Sequence, residues 1–138
     1  MRIAPACERL REAGLVRVAG ALEFAGLLGK SQHLPARFVV PLDFSARPSG
    51  TIGLVDQALK VSIGVVSLLA PAKAGAEKES DEVEAEVRRV REALVGWTHP
   101  DASGPFEIAD GRLMDVNPSA LTWLSTFSAP ARFRKDTE

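Results

Sequence analysis

The chain has 138 residues, of which 46% are hydrophobic and 25% are charged. These proportions are typical of a globular domain, and a chain of this length has room for one hydrophobic core rather than two. Seventeen lysines and arginines against 18 acids give a net charge of -1, which argues against a dedicated nucleic-acid-binding domain. We therefore predict a single domain over residues 1–138, with a flexible C-terminal segment over about residues 131–138.

The charges are unevenly distributed along the chain. Residues 77–86 contain six acids and one lysine, a net charge of -5, so the rest of the chain carries +4. Acidic side chains near the start of a helix are stabilised by the helix dipole. A helix beginning in this segment would account for the acidic cluster within a single copy of the chain.

The cysteine content and the length of the apolar segments indicate the cellular compartment of the protein. Cys7 has no second cysteine with which to form an intramolecular disulfide. The most apolar uncharged stretch, residues 61–72, has 12 residues, whereas a helix that spans a bilayer needs about 20. We therefore expect a reducing, cytoplasmic environment and no membrane span.

The N-terminal part of the chain predicts two short helices. Gly14 follows residues 8–13 at a position that favours a helix C-cap, and Pro5 is tolerated in a first helical turn. A second helix is predicted over residues 21–28, ending at Gly29.

An antiparallel hairpin is predicted next. One strand alternates with a period of two around Pro41, which cannot donate a ladder hydrogen bond and therefore predicts a sheet edge or a bulge. Residues 45–55 contain proline and glycine and predict a long connection. The second strand continues to Leu69. Phe38 and Phe44 share their face with aliphatic side chains and are therefore predicted to belong to the core. The apolar side chains of the two strands are Phe38, Val40, Leu42 and Phe44 in the first, and Leu59, Val61, Ile63 and Val65 in the second.

The longest helix is predicted after residue 80. Asp81, with Glu84 three residues on, fits a capping box at its N-terminus. The acids then lie opposite the apolar stripe, on a solvated face. That stripe, at helical spacing, consists of Val83, Val87, Val90, Leu94 and Trp97.

The C-terminal third predicts further strands. Asp110-Gly111 between two apolar segments is a strong signal for a tight hairpin turn, and Asn117-Pro118 marks another turn. A last strand is predicted over residues 120–129, ended by Pro130. The complete pattern predicts an α+β fold: a mostly antiparallel sheet of about five strands, with one long amphipathic helix and one or two short N-terminal helices packed on it.

Residue patterns for catalysis or metal binding are lacking in the sequence. His33 and His99 both lie in turn-like stretches beside prolines and are predicted to occupy surface or turn positions. The aspartates outside the long helix are scattered singly, and none pairs with a histidine at ligand spacing. We therefore predict no enzyme, no catalytic residues, no cofactor and no metal site.

Several short segments occur in a characteristic order from about residue 20 to residue 127. They are residues 34–42, Gln57, residues 93–97 with Pro100, residues 111–113, and Trp123 with Phe127. In order and spacing they resemble the tail terminator, or tail completion, proteins of tailed bacteriophages and prophages. The sequence after Trp123 departs from that pattern, because it is less polar and the chain contains no tyrosine.

The resemblance implies a structural subunit that forms a ring, typically a homo-hexamer, at the head-proximal end of the tail tube. Such a ring stops tube polymerisation and joins the tail to the head connector in the virion, after assembly in the host cytoplasm. Its partners would be its own copies, the tail tube protein and a head-side connector or neck protein. DNA would only pass through the lumen.

Under this hypothesis, the acidic segment faces basic groups of the adjacent subunit. The expected interface residues are Asp81, Glu82, Glu84 and Glu86 on one side and Arg47, Arg112 and Arg132 on the other. Two alternatives remain open: another neck or tail-tube component of the same particle, and a small non-catalytic binding module of the host.

Overall fold

The computed structural model describes residues 1–20, 34–70 and 76–136. The fold is α+β with a five-stranded, mostly antiparallel sheet, as predicted. The second short helix, predicted over residues 21–28, lies outside the described residues. The elements are α1 (Ala4–Glu12), β1 (Val18–Gly20), β2 (Ala36–Ala46), β3 (Leu54–Leu69), α2 (Ala76–Leu94), β4 (Glu107–Val116) and β5 (Leu121–Asp136).

The strands lie in the order β1-β2-β3-β5-β4. The short β1 pairs parallel with β2, and all other neighbours are antiparallel. The predicted β2–β3 hairpin is confirmed. The two 16-residue strands β3 and β5 pair along their whole lengths, from Leu54 opposite Asp136 to Leu69 opposite Leu121.

Pro41 lies where β2 is irregular. The register with β3 shifts between Pro41 and Asp43, so that Leu42 is an extra residue in the strand. On the other side of β2, β1 pairs only with residues 37–39. The sequence-based expectation of an edge or a bulge at Pro41 is therefore confirmed.

The main core lies between the two helices and one face of the sheet. Val90 and Leu94 of α2 are buried, as the predicted apolar stripe requires, and Trp97 packs against the same cluster although it lies beyond the end of the helix. Burial of this apolar surface is the main favourable contribution to folding. The largest core side chains are Leu10, Ile63, Leu94, Phe106 and Phe127.

A second apolar cluster lies on the opposite face of the sheet. It contains Ala36, Phe38, Val66, Leu68 and Leu124. Along β3, every residue from 63 to 69 is buried. Since successive side chains of a strand point to opposite faces, uninterrupted burial means that both faces are covered in this half of the sheet.

A buried ion pair links the sheet to α2. The guanidinium of Arg37 donates to both carboxylate oxygens of Glu86 at 2.8 and 2.6 Å, and the Ser67 hydroxyl donates to the same carboxylate at 2.7 Å. Glu86 is 1% exposed. The prediction that Glu86 lies on the solvated face with the other acids is therefore wrong, because Arg37 and Ser67 supply the hydrogen bonds that a buried carboxylate requires.

The predicted hairpin turn at Asp110-Gly111 is also wrong. β4 runs straight through these residues, with register shifts between Ile108 and Asp110 and between Leu113 and Asp115. The two irregularities accommodate the dipeptide inside the strand. The real turn to β5 is at Asn117, whose side-chain oxygen accepts hydrogen bonds from the amides of residues 119 and 120.

Two predicted boundaries differ in the structure. Asp81 is not an N-cap, because α2 begins at Ala76. Pro130 does not end the last strand, and the segment expected to be flexible from residue 131 belongs to β5 as far as Asp136. The Pro130 carbonyl accepts a hydrogen bond from the amide of Ser103, on the side of β5 away from β3. On that side β4 pairs no further than Ser128, so no strand partner requires the N–H that proline lacks.

Removal of the buried carboxylate should strongly destabilise the protein. We expect Glu86→Ala to lower the free energy of unfolding by about 3–5 kcal/mol, because the buried Arg37 charge would lose its partner. Glu84→Ala, at an exposed position of the same helix, should change it by less than about 0.5 kcal/mol. Urea denaturation of both variants checks this, and equal effects would contradict it.

The same pair predicts a pH dependence. Burial by itself raises the pKa of Glu86, but hydrogen bonds from Arg37 and Ser67 and the charge of Arg37 hold the pKa below its ordinary 4.5. The unfolded chain therefore binds this proton more readily, so the contribution to stability is complete above about pH 4.5 and is lost as the pH falls through the folded-state pKa. The difference in unfolding free energy between the wild type and Glu86→Gln should shrink between pH 7 and pH 3, and a constant difference would contradict this.

Candidate assembly surfaces

Three neighbouring strands, β2, β3 and β5, continue well beyond the core. β2 is buried at residues 36–39 and exposed from residue 41 onward, and β3 is fully buried only from Ile63. We call the exposed three-stranded part the arm; it comprises residues 41–62 and 129–136. It is an extension of the central strands rather than a separate unit.

One face of the arm is apolar. The register places Phe44 opposite Val61 in β3, and Gln57 of β3 opposite Phe133 in β5, on the same sheet face as the helices. Phe44 is 70% exposed and Phe133 is 48% exposed, so the prediction that Phe44 belongs to the core is wrong. Together with neighbouring side chains, they surround a groove of about 440 Å³, whose apolar lining includes Met1, Pro41, Phe44, Leu59, Val61 and Phe133.

The opposite face of the arm is charged. It carries Arg47, Lys60, Arg132 and Arg134. Arg132 forms a bidentate pair with Asp56 across the strands, with a distance of 2.6 Å from Nε to the carboxylate. Hydrogen bonds from Arg132 lower the pKa of Asp56. The same face also carries Asp43, Asp56 and Asp136. The arm is thus an amphipathic ribbon with one mostly apolar face and one charged face.

The loop at the tip of the arm has hydrogen bonds of its own. The Ser49 hydroxyl accepts from the amide of Asp56 at 3.0 Å, and the Thr51 hydroxyl donates to the carbonyl of Leu54 at 2.9 Å. The loop between β2 and β3 spans residues 47–53 and is shorter than the predicted connection. Ile52 at its tip is fully exposed, which presents an apolar side chain to a partner.

A second surface lies at the other edge of the sheet. β4 is exposed along its whole length and pairs only with β5 in the described part of the chain. Its unpaired backbone N–H and C=O groups form a template for another strand. Apolar and acidic side chains occur together along it: Ile108, Leu113, Met114 and Val116, and Glu107, Asp110 and Asp115, with one cation, Arg112.

The structure separates the predicted interface residues into two groups. The first part of α2 carries three exposed acids, Asp81, Glu82 and Glu84. They lie near the end of the sheet that contains Ser67, because Ser67 is hydrogen-bonded to Glu86 of the same helix. The C-terminal end of α2 lies at the opposite level, beside Phe106. Arg47 and Arg132 lie further still in that direction, on the arm, and Arg112 lies on β4. Within one chain the exposed acids are therefore at the opposite end of the sheet from Arg47 and Arg132. Arg112, opposite Leu124, lies near the level of the acids but on the β4 edge. Glu86 is buried and unavailable for an interface.

His99 lies in the connection between α2 and β4, which fits the predicted turn position, but it is buried rather than on the surface. Its Nδ1 accepts from the amide of Asp101 at 2.9 Å, so Nε2 carries the proton and donates to the carbonyl of Arg2 at 2.6 Å. Hydrogen bonds from Arg2 hold the pKa of Asp101 far below its usual range. These contacts fix the N-terminus beside the arm, where Met1 lines the groove. His33 lies outside the described residues.

The described residues carry no cluster of three or more side chains suited to holding a metal ion. In the same residues, no helix combines the length and hydropathy needed to cross a membrane.

The largest features that the sequence did not predict are the apolar face of the arm and the continuous β4 edge. A signal for the first was present, since Phe133 continues the alternation of β5 past Pro130. The second was hidden by Asp110-Gly111, which mimics a turn.

An α+β domain with an exposed edge strand and an amphipathic arm presents the features of a subunit that associates with other protein chains. The family model of the phage tail terminator proteins matches residues 1–137. The chain therefore belongs to the phage tail terminator family, in agreement with the resemblance seen in its sequence. The family is one of structural tail proteins, so this chain is a phage tail component of the virion. No curated protein matches the chain.

The distinction between core and assembly surface can be tested on two phenylalanines. Phe44→Ala should change the free energy of unfolding by less than about 0.5 kcal/mol, because the side chain is mostly exposed. Phe127→Ala, at a fully buried position, should cost about 3–5 kcal/mol. Urea denaturation at low protein concentration measures both values. A large loss for Phe44→Ala would show that this side chain belongs to the core.

Proposed function

We propose that the protein forms a homo-hexameric ring at the head-proximal end of the tail tube, ends tube polymerisation there and joins the tail to the head connector. The observation that carries this proposal is the presence of two unlike exposed surfaces on one subunit. Beyond Val39, where β1 ends, β2 forms one side of the arm, and the β4 edge lies on the other side of the sheet.

Two unlike surfaces suit a closed ring. A contact between different patches of identical subunits is heterologous, and it generates a ring when the rotation closes and a filament when it does not. A subunit that ends the growth of a tube must close on itself laterally. The two edges of the sheet supply the two halves of such a contact.

The ends of the strands then face along the ring axis. Asp81, Glu82 and Glu84 lie at one end, and Arg47 and Arg132 lie at the other. We propose that these exposed charges contact the tube protein and the connector, one set each, rather than pairing directly between adjacent subunits. Arg112, on the β4 edge, would remain at the contact between subunits.

The proposed role is structural and requires no catalysis, metal or cofactor, with DNA passing only through the lumen. Its setting is the head-proximal end of the tail, after assembly in the host cytoplasm. A neck or tail-tube component of the same particle is the other role that an associating subunit of this family supports. Tail length separates the two.

Disruption of the gene in its phage or prophage should give particles with overlong tails and few joined heads. Loss of the terminator leaves tube polymerisation without its stop. Electron microscopy of lysates measures the tail length, and supply of the wild-type gene in trans should restore it. Heads without any tails would instead indicate a tube or neck component.

Reversal of the acidic end tests the axial contacts. We expect Asp81→Lys, Glu82→Lys and Glu84→Lys together to leave the ring mass unchanged in native mass spectrometry but to lower the yield of complete particles at least tenfold. A matched control reverses three exposed helical acids elsewhere, Glu8, Glu12 and Glu92, and should retain the yield. A full yield for the first triple variant would contradict the axial contact, and loss of the ring would favour direct pairing between subunits.

A further inference from the structure

We propose that neighbouring subunits join by strand addition: β4 of one copy pairs antiparallel with residues 41–46 of β2 in the next copy, so that one continuous sheet passes from subunit to subunit. The partner is therefore a second copy of this chain. This inference rests on the proposed ring and specifies its lateral contact.

Both strands have an unused edge. Within the part of the chain that the structure describes, β4 pairs only with β5. In β2, β1 pairs no further than Val39, and the residues beyond it pair only with β3 among the described strands. Unpaired ladder groups at two edges of the same sheet can satisfy each other between copies.

The strand directions fit antiparallel pairing. β2, β3, β5 and β4 alternate in direction across the sheet, because each neighbouring pair is antiparallel. β4 therefore runs opposite to β2. A second copy placed beside β4 in the same orientation presents its β2 antiparallel to β4, with the helix face of both sheets on the same side.

The side chains on that shared face are apolar on both strands. Ile108, Leu113 and Val116 of β4 occupy the same sheet face as the helices, since they lie opposite Phe127, Trp123 and Leu121 in β5. From the next copy, Pro41, Phe44 and Ala46 occupy the corresponding face of β2. Cross-strand pairing would cover exposed apolar surface from both copies, including one side of the groove.

The charges of the two surfaces favour contact between unlike edges. β4 carries three acids and one arginine, a net charge of -2, whereas residues 41–47 at the β2 edge carry one acid, Asp43, and one cation, Arg47, a net charge of zero. Pairing of β4 with β4 in a symmetric dimer would bring two surfaces of net charge -2 together. The heterologous contact avoids that repulsion.

Engineered disulfides test the contact. Phe44→Cys is combined in one chain with Ile108→Cys, Leu113→Cys or Val116→Cys, which allows for different registers of the two strands. The single native cysteine, Cys7, is buried. After mild oxidation, we expect at least one double variant to give a ladder of cross-linked species ending at the ring mass on a denaturing gel. Each single variant should remain monomeric on the gel.

The matched control combines Leu113→Cys with Arg88→Cys, an exposed position on α2 and outside both strands, and should give no ladder. A native ring that shows no cross-link in any of the three double variants would overturn the strand contact and leave the proposed ring standing. A wild-type chain that stays monomeric at high concentration would overturn the ring itself. A dimer formed by Leu113→Cys alone would overturn the heterologous contact in favour of β4 with β4.

A charge placed on the edge gives an independent measurement. We expect Leu113→Lys to lower the ring fraction at least tenfold in analytical ultracentrifugation, with an unchanged circular dichroism spectrum. Ile52→Lys replaces another exposed apolar residue, in the tip loop outside β4 and outside residues 41–46, and should leave the ring intact. A ring fraction equal to the wild type for Leu113→Lys would contradict the proposal.

Discussion

The arrangement of this domain depends on one buried ion pair. Arg37 of β2 and Glu86 of α2 meet beside Ser67 of β3, and Arg37 also donates to the carbonyl of Val16, just before β1. One guanidinium therefore ties together the long helix, the two hairpin strands and the segment that enters the sheet. Burial of a charge is costly unless it is paired and fully hydrogen-bonded, so these elements have one arrangement in which both groups are satisfied. The pair fixes where α2 lies along the sheet, and hence which part of the sheet the helix leaves uncovered.

That division of the sheet separates stability from association. The half around Ser67 is covered on both faces and holds the core, whereas the arm and β4 leave apolar side chains in solvent. Exposed apolar strand surface is a liability for a chain that acts alone, because it invites aggregation. In the assembly proposed for this phage tail subunit, the same surface would be covered by other chains. The bulges within β4 limit how freely its edge can pair.

Local patterns in the sequence were sufficient for α1, β2, β3, α2 and β5. They were insufficient for β1, for the continuous β4 and for several element ends. Alternation located β2 and β3, and the missing N–H of Pro41 predicted the irregularity there. Asp110-Gly111 failed as a turn because β5 is long enough to pair with a continuous β4, and that length is a tertiary property. Glu86 has the same spacing as a solvated helix acid, and its partner lies 49 residues away in the chain. The apolar face of the arm required the β3–β5 register, which brings Phe133 beside Gln57.

The unbroken pairing of β3 with β5 has a mechanical consequence. The hydrogen-bonded ladder of β3 and β5 continues without a register shift from the core to the last residues of the arm. The arm and the core are therefore one continuous piece of sheet with no hinge in these two strands. A push on the tip loop cannot be absorbed by rotation about a flexible hinge; it must bend the ladder itself or pass to the packed interior, which has low compressibility. In an assembled tail, such a ladder would carry load from one neighbour directly into the body of the subunit.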